Sequence, residues 1–168
     1  LLISAAPGGE EHFSCGGGGK PVGVDFCNLV QADGKLVETS NTEGWKQQGE
    51  NWLYVKSGTF VKKKVVLISG KYYGFSDYGI MYTDSTFGCY DENHNWSQYR
   101  AKASGVLYVN EQYTTSGGKV YYYGEAGKAY SGIQTLNGQQ YYFQSGRLMT
   151  DYAFRYDGQN YIANGQGI

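Results

Sequence analysis

Gly138-Gln139-Gln140-Tyr141-Tyr142-Phe143, closed by Gly146, is the stretch that decides how this chain of 168 residues is read. A turn, a short polar step, an aromatic cluster and a second glycine turn recur in five other places. They are Gly49-Glu50-Asn51-Trp52-Leu53-Tyr54 with Gly58, Gly70-Lys71-Tyr72-Tyr73-Gly74-Phe75 with Gly79, and the degenerate Asn93-His94-Asn95-Trp96-Ser97-Gln98-Tyr99 with Gly105. Gly118-Lys119-Val120-Tyr121-Tyr122-Tyr123 with Gly127 and Gly158-Gln159-Asn160-Tyr161-Ile162 with Gly165 complete the set. Glycines 118, 138 and 158 are 20 residues apart. A fixed period of that length marks a repeat architecture.

Each copy holds two short runs rich in Tyr, Trp, Val and Phe on either side of a glycine-bearing turn, which is the signal of a β-hairpin. Aromatic side chains suit a pleated, half-buried surface. A lone hairpin is marginal in water, so neighbouring units must bury one another's aromatic faces and the repeat is also the core. Apolar residues at helical spacing do not persist beyond a turn or two. The expectation is therefore an all-β solenoid of about six tandem hairpins over residues 44–168. Residues 84–92 and 106–117 are either further strands or loops between units. Residues 1–43 form an irregular segment, read as a linker, a first hairpin or, in preference, a capping unit containing Val22 to Phe26.

Composition narrows the function. There are 26 Gly and 18 Tyr, charged residues make up 17%, and the net charge is -1. That balance gives no electrostatic footprint for nucleic acid or an anionic membrane. No run approaches the ~20 apolar residues of a membrane-spanning helix, so no membrane insertion is expected. Leu1 to Pro7 is too short for a complete signal peptide, and the missing initial Met leads us to expect a processed or excised fragment. Cys15 and Cys27 either close a small loop around Gly16 to Gly19 or remain two free thiols. Cys89, in an aromatic run, reads as a small buried hydrophobe.

Catalysis requires a nucleophile with a base, a carboxylate pair or a metal cluster. The histidines are His12 and His94, and neither Cys15 with His12 nor Cys89 with His94 sits in a recognisable context. Glu10-Glu11 and Asp91-Glu92 are adjacent pairs, which on a strand point to opposite faces, and they read as solvated turns. Gly16 to Gly19 with Lys20 lacks the spacing of a phosphate loop. Lys62-Lys63-Lys64 is either a solvated guard on an edge strand or a contact for anionic wall polymers. The expectation is a chain without catalytic residues, metal site or cofactor.

Gly44-Trp45 followed by Gly49 to Tyr54 and Gly58, and Gly132-Ile133 followed by Gly138 to Phe143 and Gly146, resemble the cell-wall-binding repeats of Gram-positive surface proteins. That group includes choline-binding modules and the glucan-binding repeats of glucansucrases and clostridial toxins. The resemblance covers residues 44–168 and implies hairpins stacked in a left-handed superhelical solenoid, with ligands between successive hairpins. In choline-binding members the site uses the Trp of the Gly-Trp dipeptide, the first aromatic of the next cluster and an aromatic of the following hairpin. Such a cage attracts a quaternary ammonium.

The position of that Trp is read here as Trp45, Val65, Tyr113, Ile133 and Ala153 in the regular copies, so Trp45 matches and Tyr113 matches in part. The missing walls turn the expectation from choline to carbohydrate, since Tyr and Trp faces stack on sugar rings. Asn137, Gln139, Gln140, Asn160 and Gln166 offer hydrogen bonds nearby. The candidate ligand-binding residues are Trp45, Trp52, Tyr54, Tyr72, Tyr113, Tyr121, Tyr141 and Tyr161. The expected function is a non-catalytic, multivalent module that attaches a secreted protein to cell-wall polysaccharide or extracellular glucan at the bacterial surface. Choline-decorated teichoic acid is one alternative partner, and a stalk or adhesin surface meeting a host protein is another.

Overall fold

In the tight turns Ser69-Gly70, Asn137-Gly138 and Asp157-Gly158 both residues take positive φ, from 46° to 79°. Such pairs match the right-handed twist of the strands they join. The computed structural model describes residues 29–30, 36–37 and 42–167. Cys15, Cys27, His12, Glu10-Glu11, the Gly16 to Lys20 run, Leu1 to Pro7 and the Val22 to Phe26 cap lie outside the described residues.

The chain divides into two compact units, Leu1–Val61 and Lys62–Ile168. The first contains β1 (Leu29–Val30), β2 (Leu36–Val37), β3 (Gly44–Gln48), β4 (Asn51–Lys56) and β5 (Thr59–Phe60). The second contains β6 (Lys64–Ile68), β7 (Lys71–Phe75), β8 (Thr86–Tyr90), β9 (Trp96–Arg100), β10 (Glu111–Thr114) and β11 (Val120–Tyr123). It continues with β12 (Gly132–Leu136), β13 (Gln139–Gln144), β14 (Arg147–Leu148), β15 (Tyr152–Tyr156) and β16 (Gln159–Ala163), and one 3-10 turn at Glu125–Gly127.

Six antiparallel hairpins contain the six aromatic copies: β3–β4, β6–β7, β8–β9, β10–β11, β12–β13 and β15–β16. We number them 1 to 6. The two segments left open between strand and loop supply β8 and β10, the first strands of hairpins 3 and 4. Hairpin 1 closes differently from hairpins 2, 5 and 6, which share its two-residue turn length. Gly49 has φ 56° and no positive φ occurs at Glu50, so its glycine stands one place earlier in the turn than Gly70 does. After each of hairpins 1 to 5 the chain turns back and pairs briefly: Val55 with Phe60, Phe75 with Met81, Ala101 with Leu107, Tyr123 with Ala129 and Phe143 with Leu148.

That return pairing fixes equivalent positions. In the second unit the residue just before the paired one always meets the next hairpin: Gly74 meets Phe87, Arg100 meets Tyr113, Tyr122 meets Phe143 and Tyr142 meets Phe154. At the first joint, any Cβ on Gly74 would fall inside the Phe87 ring, so glycine is required. Phe87 in turn stacks on Tyr82 and Tyr99, at centroid distances of 4.0 and 5.5 Å. Phe87, Cys89, Tyr99, Ala101 and Leu107 form a buried cluster against which Val65, Tyr72, Tyr82 and Val109 pack. Burial of each large side chain contributes roughly 1.5–3 kcal/mol.

A polar clamp adds a second tie. Asp91, at the tip of hairpin 3, accepts bonds from the backbone N–H groups of Asn93 and Asn95, each at 2.9 Å. It also accepts one from Lys128 Nζ at 2.9 Å, beyond hairpin 4. Glu92 is exposed as the solvated-turn reading expects, whereas Asp91 is partly buried and fully engaged. The lysine and backbone bonds lower the Asp91 carboxyl from 3.8 to about 2, and the same bond raises Lys128 above 10.5.

Two outcomes are expected. Gly74→Ala forces Phe87 aside and costs about 1–3 kcal/mol, read as a fall in thermal midpoint. Gly138→Ala, with open space but φ +79°, costs about 1 kcal/mol through backbone strain alone. For the clamp, a lowered acid pKa means stability that is complete above pH 3.8 and lost as pH falls towards 2. The raised base pKa keeps the tie intact until pH climbs beyond 10.5. Asp91→Asn therefore lowers stability at neutral pH and flattens the acid limb of a thermal-midpoint profile. An unchanged acid limb would contradict the clamp.

Candidate functional site

Strand alternation puts Trp45, Trp52 and Tyr54 on one face of hairpin 1, with Trp45 directly opposite Tyr54. The Trp45 centroid lies 5.1 Å from that of Tyr54 and 6.2 Å from that of Trp52, at interplanar angles of 70° and 85°. Edge-to-face contacts of this kind hold rings in fixed relative orientation. Leu53 and Val55 point the other way and are buried, so the aromatic face is the accessible one; Trp52 is 38% exposed.

Tyr141 and Tyr161 line a single shallow cleft formed by hairpins 5 and 6. Ile133, Gln140, Tyr142, Phe154 and Ile162 also line it. Tyr142 and Phe154 stack at 3.7 Å with their planes 7° apart, and Phe154 and Tyr161 follow at 5.4 Å and 15°. Each of the two predicted tyrosines donates its hydroxyl proton to a glutamine two residues back, Tyr141 to Gln139 at 3.0 Å and Tyr161 to Gln159 at 3.1 Å. These paired bonds fix the direction of both phenols.

The other predicted residues are placed differently. Tyr113 and Tyr121 face each other across hairpin 4 and join Tyr108 and Tyr123 in a cluster in which two rings carry the protein's own cations. Arg100 Cζ lies 4.0 Å from the Tyr113 centroid and Lys102 Nζ 4.9 Å from that of Tyr108. Arg100 is fixed there by Asp84 at 2.8 Å, and Lys102 by Glu111 at 2.8 Å. Tyr72 packs against the buried cluster of hairpin 3. The ladder also puts Gln112 opposite Tyr122, where Trp45 stands opposite Tyr54. Tyr113 is thus one residue out of step with Trp45 and points to the other face.

Ring residues absent from the sequence-based set complete the picture. Tyr142 and Phe154 form the floor of the cleft, and Tyr90 and Trp96 face each other at the tip of hairpin 3, 60% and 52% exposed. Trp96 heads its aromatic run as Trp52 does, which is the signal that could have found it. Burial raises the pKa of the Cys89 thiol, and its Sγ–H lies near the carbonyls of Lys63 and Tyr90, consistent with a small packed residue. Burial likewise raises Tyr82, Tyr99 and Tyr123. Lys63 and Lys64 are exposed, with Lys63 Nζ 3.4 Å from Asp77. Among the described residues no group of His, Cys, Asp and Glu is placed to hold a metal ion, and no helix is long and apolar enough to cross a membrane.

No protein-family model matches the chain. Glucosyltransferase-S of Streptococcus downei is 31% identical over an alignment of 131 residues that covers 71% of this chain and 9% of that protein. Choline binding protein F of Streptococcus pneumoniae is similar in structure, with 25% identity and a TM-score of 0.52 over 83% of this chain and 42% of that one. The same protein in the presence of a peptidoglycan analogue, a tetrasaccharide-pentapeptide, gives 26% and 0.51 over the same shares. The chain therefore spans 9% of the curated relative and 42% of these solved ones. The all-β hairpin-repeat fold read from the sequence is the fold of these choline-binding structures.

Proposed function

We propose, from the premise that these are repeats of the choline- and glucan-binding cell-wall-binding type, that the chain is a non-catalytic module holding a secreted protein to neutral polysaccharide at a Gram-positive cell surface. The polymer is cell-wall polysaccharide or extracellular glucan. The observation that carries this reading is the cleft of hairpins 5 and 6, where Tyr142, Phe154 and Tyr161 stack nearly parallel beside the Gln140 amide. Flat aromatic faces with an amide at the border suit the apolar face and the hydroxyls of a pyranose. The Trp45, Trp52 and Tyr54 face of hairpin 1 supplies a second surface of the same chemistry.

A quaternary ammonium fits these surfaces less well. The position of Trp45 is filled by Val65, Gln112, Ile133 and Ala153 in hairpins 2, 4, 5 and 6, so the cage wall is missing. In hairpin 4, where a cation does lie over a tyrosine, that cation is Arg100 of the chain itself. Charge is low throughout, with a net of -1, so attraction to teichoic acid phosphates has little to work with. Several weak sites on one polymer add through effective concentration.

The test is retention of the full chain on insoluble α-glucan and on purified Gram-positive cell walls, each with and without free choline. Retention that choline does not relieve is expected. Trp45→Ala and Tyr161→Ala are each expected to weaken it about fivefold, or ~1 kcal/mol. Elution by choline would replace the glycan reading with the choline one, and passage through both supports would leave a stalk or adhesin surface.

A further inference from the structure

Hairpin 3 differs from its neighbours in carrying an aromatic pair at its tip. Its strands are joined by the five residues 91–95, and its last ladder pair is Tyr90 opposite Trp96. Both rings remain exposed, at 60% and 52%. Alternation puts Thr86, Gly88, Gln98 and Arg100 on the same face as this pair. Gly88 is the seat of the tryptophan. A Cβ there would lie 2.6 to 2.8 Å from Cζ2, Nε1 and Cε2 of Trp96, so only glycine lets the indole rest on the backbone. A ring braced against main chain has fewer rotamers to lose on binding than a free surface tryptophan.

The charges around the pair are already matched. Asp91 binds Lys128 at 2.9 Å, which also fixes the tip, and Arg100 binds Asp84 at 2.8 Å. Glu92 and His94 stand in the exposed turn beyond. The face itself offers two rings and the Gln98 amide to a neutral partner. Two rings cover about 150–250 Å² each, well short of the ~800 Å² per partner of a stable protein interface. They match the footprint of a single sugar ring with polar edges.

The geometry points to a further hexopyranose-stacking site on Trp96 and Tyr90, at the tip of hairpin 3 and sharing no residue with the cleft of hairpins 5 and 6. It rests on the glycan reading above, because it takes the same class of ligand. It adds an anchoring point in a copy whose equivalent inner positions, Thr86 and Arg100, carry no aromatic.

The chain has three tryptophans, so Trp45→Phe/Trp52→Phe leaves Trp96 as the sole indole emitter. Titration of that variant with dextran, and separately with soluble cell-wall polysaccharide, is expected to give a saturable change in emission with at least one polymer. Trp96→Ala and Tyr90→Ala are expected to weaken retention by that polymer about threefold to tenfold, with the cooperative thermal transition retained because both rings lie outside the buried cluster. If Trp96 emission and the two alanine variants are indifferent to polymers whose binding Trp45→Ala does weaken, the tip site is wrong and the glycan reading stands. If the wild-type chain binds neither polymer, the glycan reading fails and the tip site with it.

Discussion

One position in the ladder governs the second unit: the residue just ahead of the return pairing, whose side chain enters the next hairpin. A two-stranded hairpin cannot bury enough surface to be stable by itself, so the packing at this joint decides whether the stack exists. Its occupant varies in size from glycine to tyrosine, and the joint changes character accordingly. Gly74 lets Phe87 press onto bare backbone and the joint is closed. Arg100 fills the space with a guanidinium against Tyr113, and Tyr142 lays a ring flat on Phe154 beside an open cleft. One geometric slot thus yields a sealed contact, a cation-filled contact and an open cleft.

Much of this was legible in the sequence because turns and aromatic clusters are local signals. All six copies form hairpins, including the degenerate one around Trp96, and the Asn-Gly, Asp-Gly and Ser-Gly pairs take the left-handed turn that such pairs favour. The first strands of hairpins 3 and 4 were harder. Thr86–Tyr90 and Glu111–Thr114 are short, carry few aromatics in common with the other copies, and sit at irregular distances from the glycines that set the count.

Register was the part that spacing could not fix. Gly49 is the first residue of its turn and Gly70 the second of its own, so counting from the glycine is out by one between hairpins 1 and 2. In a strand an error of one residue moves a side chain to the opposite face. In hairpin 4 the turn has five residues, 115–119, with Gly118 the fourth, so counting back from that glycine made Tyr113 look like a counterpart of Trp45, when the ladder gives that place to Gln112. The cleft was half visible: Tyr141 and Tyr161 were identified from their clusters, whereas Tyr142 and Phe154 contribute through a contact between hairpins that no single copy encodes. Trp96 follows an Asn93-His94-Asn95 turn without the glycine that precedes the other clusters, so its copy is the degenerate one.

The return pairing described for hairpins 1 to 5 is made by backbone groups, and backbone groups are indifferent to which side chain they carry. Alignment of a unit within the stack therefore does not depend on the ring that a ligand would touch. Repeats that contact only their neighbours also confine any loss to one joint. Together these let individual copies diverge while the array stays in phase, and the present chain shows the result: Trp45, Val65, Gln112, Ile133 and Ala153 occupy one and the same ladder position in hairpins 1, 2, 4, 5 and 6. Such an array is suited to altering its ligand one unit at a time.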